Sequence, residues 1–337
     1  MRMSGAIRRM KALWRTLAGA AVAVLLVPLG GCDRPADGDG QVLRVGTHRG
    51  GTRGMMLAAG ELKDVPYRIE WAQFPSAQTQ IEAISANAVD VGIAGAASFL
   101  FAYNGNPQLR AIQAMDGGPE QKAVAVIVPE KSAARDMRDL RGRSIATTRG
   151  SVGHITLLQA LEQAHLKTSD VSISFLSPND AMTAFATGKV DALAIWLPYL
   201  ATAVRSHHAR VLTYAWNGTS NYLVQVSSDA SVRAKHALLE DFLRRYARAQ
   251  LWANGHPREW SEISSRETGV PRDIAAYSAE RWHWTPAPVD GRVADALHET
   301  ARIFAAELPP PHRDGAAGLD SSFDDAVDGS GGPRSGG

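Results

Sequence analysis

Asn87-Ala88-Val89-Asp90-Val91-Gly92-Ile93-Ala94-Gly95 and Gly188-Lys189-Val190-Asp191-Ala192-Leu193-Ala194-Ile195-Trp196 are two versions of one phrase. Each follows a helical stretch, carries Val-Asp, and runs into a short apolar strand. Before the first, Ile81, Ile84 and Ala88 share one face of a helix over residues 78–87. Before the second, residues 179–187 read as a helix that Gly188 stops, the place where glycine closes helices. Strands alternating with helices argue for βαβ units and parallel sheets. The repetition argues for two lobes of similar construction.

The same grammar extends both ways. Residues 42–46 and 67–72 read as strands with a helix over 55–61 between them, and 109–114 and 123–128 as two more strands. Around the second phrase lie a strand at 144–147, a helix to about 164 and a strand at 171–176. The chain then returns through strands at 210–215 and 222–227 and a long amphipathic helix over 234–252. Further helices follow around 260–268, 272–279 and 289–307. The expected organisation is an α/β, two-lobed fold: residues 41–125 and 222–308 form one lobe, 126–221 the other, with two hinge crossings beside a cleft. Ligand sites in open α/β sheets lie at the carboxyl ends of strands.

The two ends read differently from this body. Arg2, Arg8, Arg9, Lys11 and Arg15 precede an apolar run from Leu17 to Leu29, which meets Leu29-Gly30-Gly31-Cys32. A basic start, an apolar middle and small residues at the cut describe a secretory signal over 1–31. Pro28, Gly30 and Gly31 interrupt the run below the roughly 20 apolar residues a membrane span needs. Cys32 is the one cysteine of the chain, so it has no intramolecular disulfide partner. Residues 33–40 read as a linker, and 309–337, rich in Pro, Gly, Ser and Asp, as a disordered tail. The whole chain has 36 basic and 34 acidic residues, and removing the signal leaves 31 against 34. That balance gives no support to nucleic-acid binding, which wants a concentrated basic surface.

Chemistry is expected where strands end. The loops at 47–52, 73–76, 94–98 and 148–151 each lead into a helix. Helix N-termini carry unpaired N–H groups and partial positive charge, so several aimed at one cleft make an anion site without a buried lysine. Ser76 and Ser151 fit equally as plain N-caps. Trp196 fits either a core position or an apolar wall for a solute. Arg49 and Arg53 fit solvated loop positions or anion contacts. His48 and His154 have no ligand-spaced partner, so no metal is expected. The loop at 46–52 lacks the lysine of a phosphate-binding loop, Gly150-Ser151-Val152-Gly153 is not a nucleophile elbow, and no H-E-x-x-H occurs. Enzyme motifs are mostly absent, nothing in the sequence argues for catalysis, and no cofactor is expected.

Several segments together resemble the solute-binding proteins of ABC importers, in the aliphatic-sulfonate, taurine and nitrate group. These are LRVGTHRGG (43–51), FPSAQTQIEAISANAVDVGIAG (74–95), DLRGRSIATTRGSVGHITLLQALEQAHL (139–166), AFATGKVDALAIWLPYLA (184–201) and NYLVQVSS (221–228). Leu29-Gly30-Gly31-Cys32 likewise resembles the lipobox of bacterial lipoproteins, and Asp33 a signal for retention in the inner membrane. The resemblance implies a type II-like periplasmic binding protein, monomeric, lipid-anchored (palmitoylated) at Cys32 and docking to ABC permease subunits. It implies ligand contacts from Thr47, His48, Ser76, Gly95, Ala96, Ala97, Ser98, Ser151, Val152, Gly153, Trp196 and Asn221. Leu197 stands where relatives often carry an acid, and Ala96-Ala97 where they often carry a polar residue, so the expected solute is an alkyl or aryl sulfonate. Nitrate, a thiamine-precursor pyrimidine and an aromatic carboxylate remain as other cargoes, and a lipid-anchored enzyme of the same fold as another class.

Overall fold

The structure, a computed structural model, describes residues 41–48, 51–118, 122–214, 222–308 and 310–327. The signal segment, Cys32, the linker and Asn221 lie outside them.

The chain opens with β1 (Val42–His48), α1 (Thr52–Ala58), β2 (Arg68–Phe74), α2 (Ala77–Ser85), β3 (Val91–Gly95), α3 (Ala96–Gly105) and β4 (Leu109–Asp116). It then builds β5 (Val124–Val128), β6 (Ser144–Thr147), α4 (Val152–Gln163), β7 (Ser172–Phe175), α5 (Pro178–Ala186), β8 (Ala192–Trp196), α6 (Tyr199–Ser206) and β9 (Arg210–Tyr214). It returns as β10 (Tyr222–Ser228), α7 (Asp229–Gly255), α8 (Pro257–Thr268), α9 (Arg272–Ala279), β11 (Thr285–Ala287) and α10 (Gly291–Ile303).

Two sheets result. One runs β11-β4-β10-β3-β1-β2 and the other β7-β6-β8-β5-β9. β1 lies parallel to β2 and β3, and β6 parallel to β7 and β8, as βαβ units require. The sheets are mixed rather than all parallel. β10 runs antiparallel to β3 and β4, and β5 antiparallel to β8 and β9. The reason is connectivity: each of these strands arrives from the other lobe and enters the middle of its new sheet from the opposite end. Both lobes therefore share one strand plan.

The repeated Val-Asp has a shared structural meaning. Val89 and Val190 are buried. Asp90 N donates to Arg44 O at 2.8 Å, and the Asp90 carboxylate accepts Arg44 N at 2.7 Å. Asp191 N donates to Ser144 O at 2.9 Å, and its carboxylate accepts Ser144 N at 2.8 Å. In each lobe an aspartate before the third strand clamps the start of the first. Burial works against ionisation of Asp90, but hydrogen bonds from Arg44, Lys235 and Ser231 hold its carboxyl below the usual range.

The expectation of a disordered tail from residue 309 is corrected for residues 310–327. Gly315–Gly318 and Ser321–Ala326 form short 3-10 turns, and Phe323 and Ala326 are fully buried. The Phe323 ring stacks on His236 at 4.3 Å, and Asp320 N donates to Ala111 O at 3.0 Å. β11 pairs only with residues 114–116 of β4, which leaves the edge at Ala111 open, and Leu319 bridges to it. Polar average composition conceals two apolar anchors that cover a sheet edge, where unpaired N–H and C=O groups invite a partner.

Candidate functional site

β1 ends at His48, and the turn back to α1 is closed by Gly51 N donating to His48 O at 3.0 Å. Ser76 caps α2, its hydroxyl accepting Thr79 N at 3.4 Å, and Ser151 caps α4, accepting His154 N at 3.2 Å. Gly95 caps α3 with no side-chain bond. The N-terminal turns of these helices face one another across the lobes. Ser98 Oγ donates to Gly150 O at 3.1 Å and Gln78 Nε2 to Arg149 O at 3.2 Å. Tyr199 Oη donates to Pro75 O at 3.4 Å. A Cβ on Gly95 would overlap Val152 Cγ1, so glycine lets the two helix starts approach. The lobes are closed on each other.

Between them lies a cavity of about 160 Å³. A single water needs roughly 10–15 Å³ on this kind of measure, so a small organic molecule fits. Of the expected contact residues, His48, Ser76, Gly95, Ser98, Ser151, Val152 and Trp196 line it. Thr47, Ala96, Ala97 and Gly153 do not. Thr47 is buried with its hydroxyl on His48 O, and Ala96 and Ala97 are buried in the first turn of α3. A Cβ at Gly153 would stand 2.6 Å from Ala194 O, so this glycine seats α4 directly on β8.

The sequence reading missed the aromatic part of the lining. Trp260 from α8, Trp282 and Trp284 from the segment before β11, Tyr246 from α7 and Tyr222 from β10 all line the cavity, as do Gln78 and Tyr199. Trp260 and Trp282 lie with ring centroids 6.2 Å apart, and Trp282 and Trp284 5.7 Å apart at 60°. Arg281-Trp282-His283-Trp284 was the available signal, but a stripe of aromatics reads equally as core.

Among the described residues, no Asp, Glu, Lys or Arg lines the cavity. His48 does, and burial pushes its pKa down to about 4, against the pull of a hydrogen bond with the Ser76 backbone. It is neutral at pH 7, and its Nε2 is buried without a hydrogen-bond partner. Among the described lining residues, fixed N–H dipoles at helix starts rather than full charges are what the chamber offers an anion. His154, in the first turn of α4, is wedged between Phe175 at 4.8 Å and Phe304 at 4.9 Å and does not line the cavity.

Two α/β lobes of one strand plan, closed over a chamber whose described lining carries no Asp, Glu, Lys or Arg, define the class of two-lobed solute receptors. The family model described as NMT1/THI5 like matches residues 69–260, and the chain belongs to that family. It is 30% identical over 274 residues to an aliphatic sulfonates-binding protein of Escherichia coli (strain K12), covering 80% of this chain and 85% of the relative. The structure of the alkanesulfonate-binding protein SsuA from Xanthomonas axonopodis pv. citri, bound to MOPS, superposes with a TM-score of 0.75 at 26% identity, covering 83% of this chain and 98% of that one. The fold alone is shared with the desulfurization enzyme DSZB, at a TM-score of 0.58 and 16% identity, over 85% of this chain and 96% of that one.

Proposed function

We propose that this protein is the extracytoplasmic receptor of an ABC importer and carries organic sulfonates to permease subunits. The observation that carries the reading is the chamber itself. Helix starts from both lobes border it, so an anionic head group contacts both lobes at once and favours their closure. Closure around the ligand is the signal a permease reads. The ligands named for the relatives, aliphatic and alkane sulfonates, support the head group. The reading includes a lipid anchor at Cys32 and a monomeric receptor. Mass spectrometry of the mature N-terminus checks the anchor: an unmodified Cys32 contradicts it.

Calorimetry tests the ligand class with methanesulfonate, hexanesulfonate, sulfate, nitrate, benzoate and a thiamine-precursor pyrimidine. Micromolar binding of a sulfonate, about −8 kcal/mol, is expected. Heat from none of the sulfonates overturns the assignment.

One observation bears on an enzyme of the same fold, since His48 lines the cavity. Its ring is held by a backbone group, no carboxylate stands beside it among the described lining residues, and it stays unprotonated at pH 7. A receptor is the better match. Sulfite release from a bound sulfonate on prolonged incubation would reverse that judgement.

A further inference from the structure

We infer that the solute's organic part is an uncharged aromatic ring seated against Trp260, Trp282 and Trp284, which makes the ligand class aryl sulfonates. The inference rests on the sulfonate reading above and adds the specificity-determining wall.

Three observations carry it. The chamber is far larger than a sulfonate head group alone requires, and the space is walled by three indoles in successive tilted contact, with Trp196 on the second lobe. Four of the protein's eight tryptophans thus meet one cavity, a concentration that flexible aliphatic tails do not need. Aromatic rings favour such edge and offset partners beyond simple area burial.

The wall is also held in place by a dedicated amide network. Trp282 Nε1 donates to Gln250 Oε1 at 3.2 Å, and Gln250 Nε2 donates to Asn254 Oδ1 at 3.0 Å. Asn254 Nδ2 donates to Trp284 O at 2.8 Å. Gln250 is fully buried, and both amides come from consecutive turns of α7. A wall orientated by buried hydrogen bonds suits a flat, rigid partner, because nothing has to reorganise on binding.

Charge decides against the competing tails. Indole faces also attract cations. Yet the described lining holds no carboxylate to balance an ammonium group drawn out of water. A taurine-like zwitterion therefore pays desolvation without a counter-charge from the described lining, and a neutral arene does not.

The test is a titration of the purified full-length chain, by calorimetry and by tryptophan fluorescence. Hexanesulfonate and benzenesulfonate have the same carbon count, and taurine and a trimethylammonium-propanesulfonate supply cationic tails. Benzenesulfonate is expected to bind about three- to tenfold tighter than hexanesulfonate, and to change the tryptophan emission. Both cationic tails bind more weakly than benzenesulfonate. Trp260→Leu with Trp284→Leu should bring the aryl-to-alkyl ratio to about one while hexanesulfonate still binds. Gln250→Leu, which frees Trp282 without removing an indole, should lower the ratio in the same direction. The wild-type ratio stands even if a variant fails to fold. Hexanesulfonate binding as tightly as benzenesulfonate, or a cationic tail binding more tightly, overturns the aromatic assignment and leaves the sulfonate receptor intact. Binding of no sulfonate at all overturns both.

Discussion

Asp90 and Asp191 hold the same place in the two lobes but not the same depth. The Asp90 side chain is 1% exposed and also accepts Lys235 Nζ at 2.7 Å, while the Asp191 side chain is 43% exposed. Removing one partner of a buried charge network leaves the others uncompensated, so Asp90→Ala is expected to cost about 3–5 kcal/mol. Asp191→Ala loses solvent-screened hydrogen bonds and should cost about 1 kcal/mol. Denaturant midpoints of the two variants check this, and equal costs would contradict it. Two histidines, His154 buried and His48 partly so, set a pH window. Burial pushes His48 and His154 down to about 4 from an ordinary 6.5, and Arg149 depresses His154 further. Between those values the unfolded chain binds more protons than the folded one, so stability falls as pH drops from 6.5 towards 4. Each contributes up to about 3 kcal/mol over that window. Urea midpoints at pH 7 and 4.5 should diverge less in a His48→Gln, His154→Gln variant than in the wild type. An unchanged divergence would sink the assignment.

At the scale of elements, the segment over residues 310–327 behaves as part of the first lobe. Asp324 Oδ1 accepts Val289 N at 3.0 Å, Asn104 Oδ1 accepts Arg313 N at 2.9 Å, and Phe323 fills a fully buried slot against α7. Phe323→Ala removes a large buried ring and should cost about 3–5 kcal/mol, read as a lower guanidinium midpoint at unchanged slope. A cost below about 1 kcal/mol, the size of a surface change, would show that the segment is not integral.

At the scale of the whole molecule, closure rests on a second patch away from the cavity. Phe304, on the turn that ends α10 in the first lobe, meets His154 and, within its own lobe, meets Phe101 edge-on at 4.7 Å. Arg149 pairs with Glu307 at 2.6 Å and Arg302 with Glu162 at 3.3 Å. The ion pairs are exposed and worth little, so the ring contacts carry the patch. If closure precedes tight binding, affinity is scaled by the fraction of closed protein. Phe304→Leu should therefore weaken every ligand by one common factor and raise the radius of gyration by small-angle scattering without ligand. A change confined to some ligands would place Phe304 in recognition instead.

Periodicity and the repeated Val-Asp phrase were enough to read two α/β lobes, because alternation of strands and helices is local information. The helix starts at Ser76, Gly95 and Ser151 were legible for the same reason: capping residues announce themselves over four positions. The antiparallel entry of β5 and β10, the seat of Phe323 and the wall of Trp260, Trp282 and Trp284 were not. Each depends on packing between segments that no local pattern links: β5 pairs with β8 and β9, β10 with β3 and β4, Phe323 stacks on His236, and the three indoles come together from α8 and the segment before β11. An aromatic in a helix or a loop has the same local signature whether it fills a core or faces a ligand. The sequence by itself determined most of the elements and their order, though not α6 or β11, and the absence of charge in the strand-end loops at 73–76 and 94–98. Only the tertiary structure decided which faces meet across the cleft, because that choice is made by packing between segments distant in the chain.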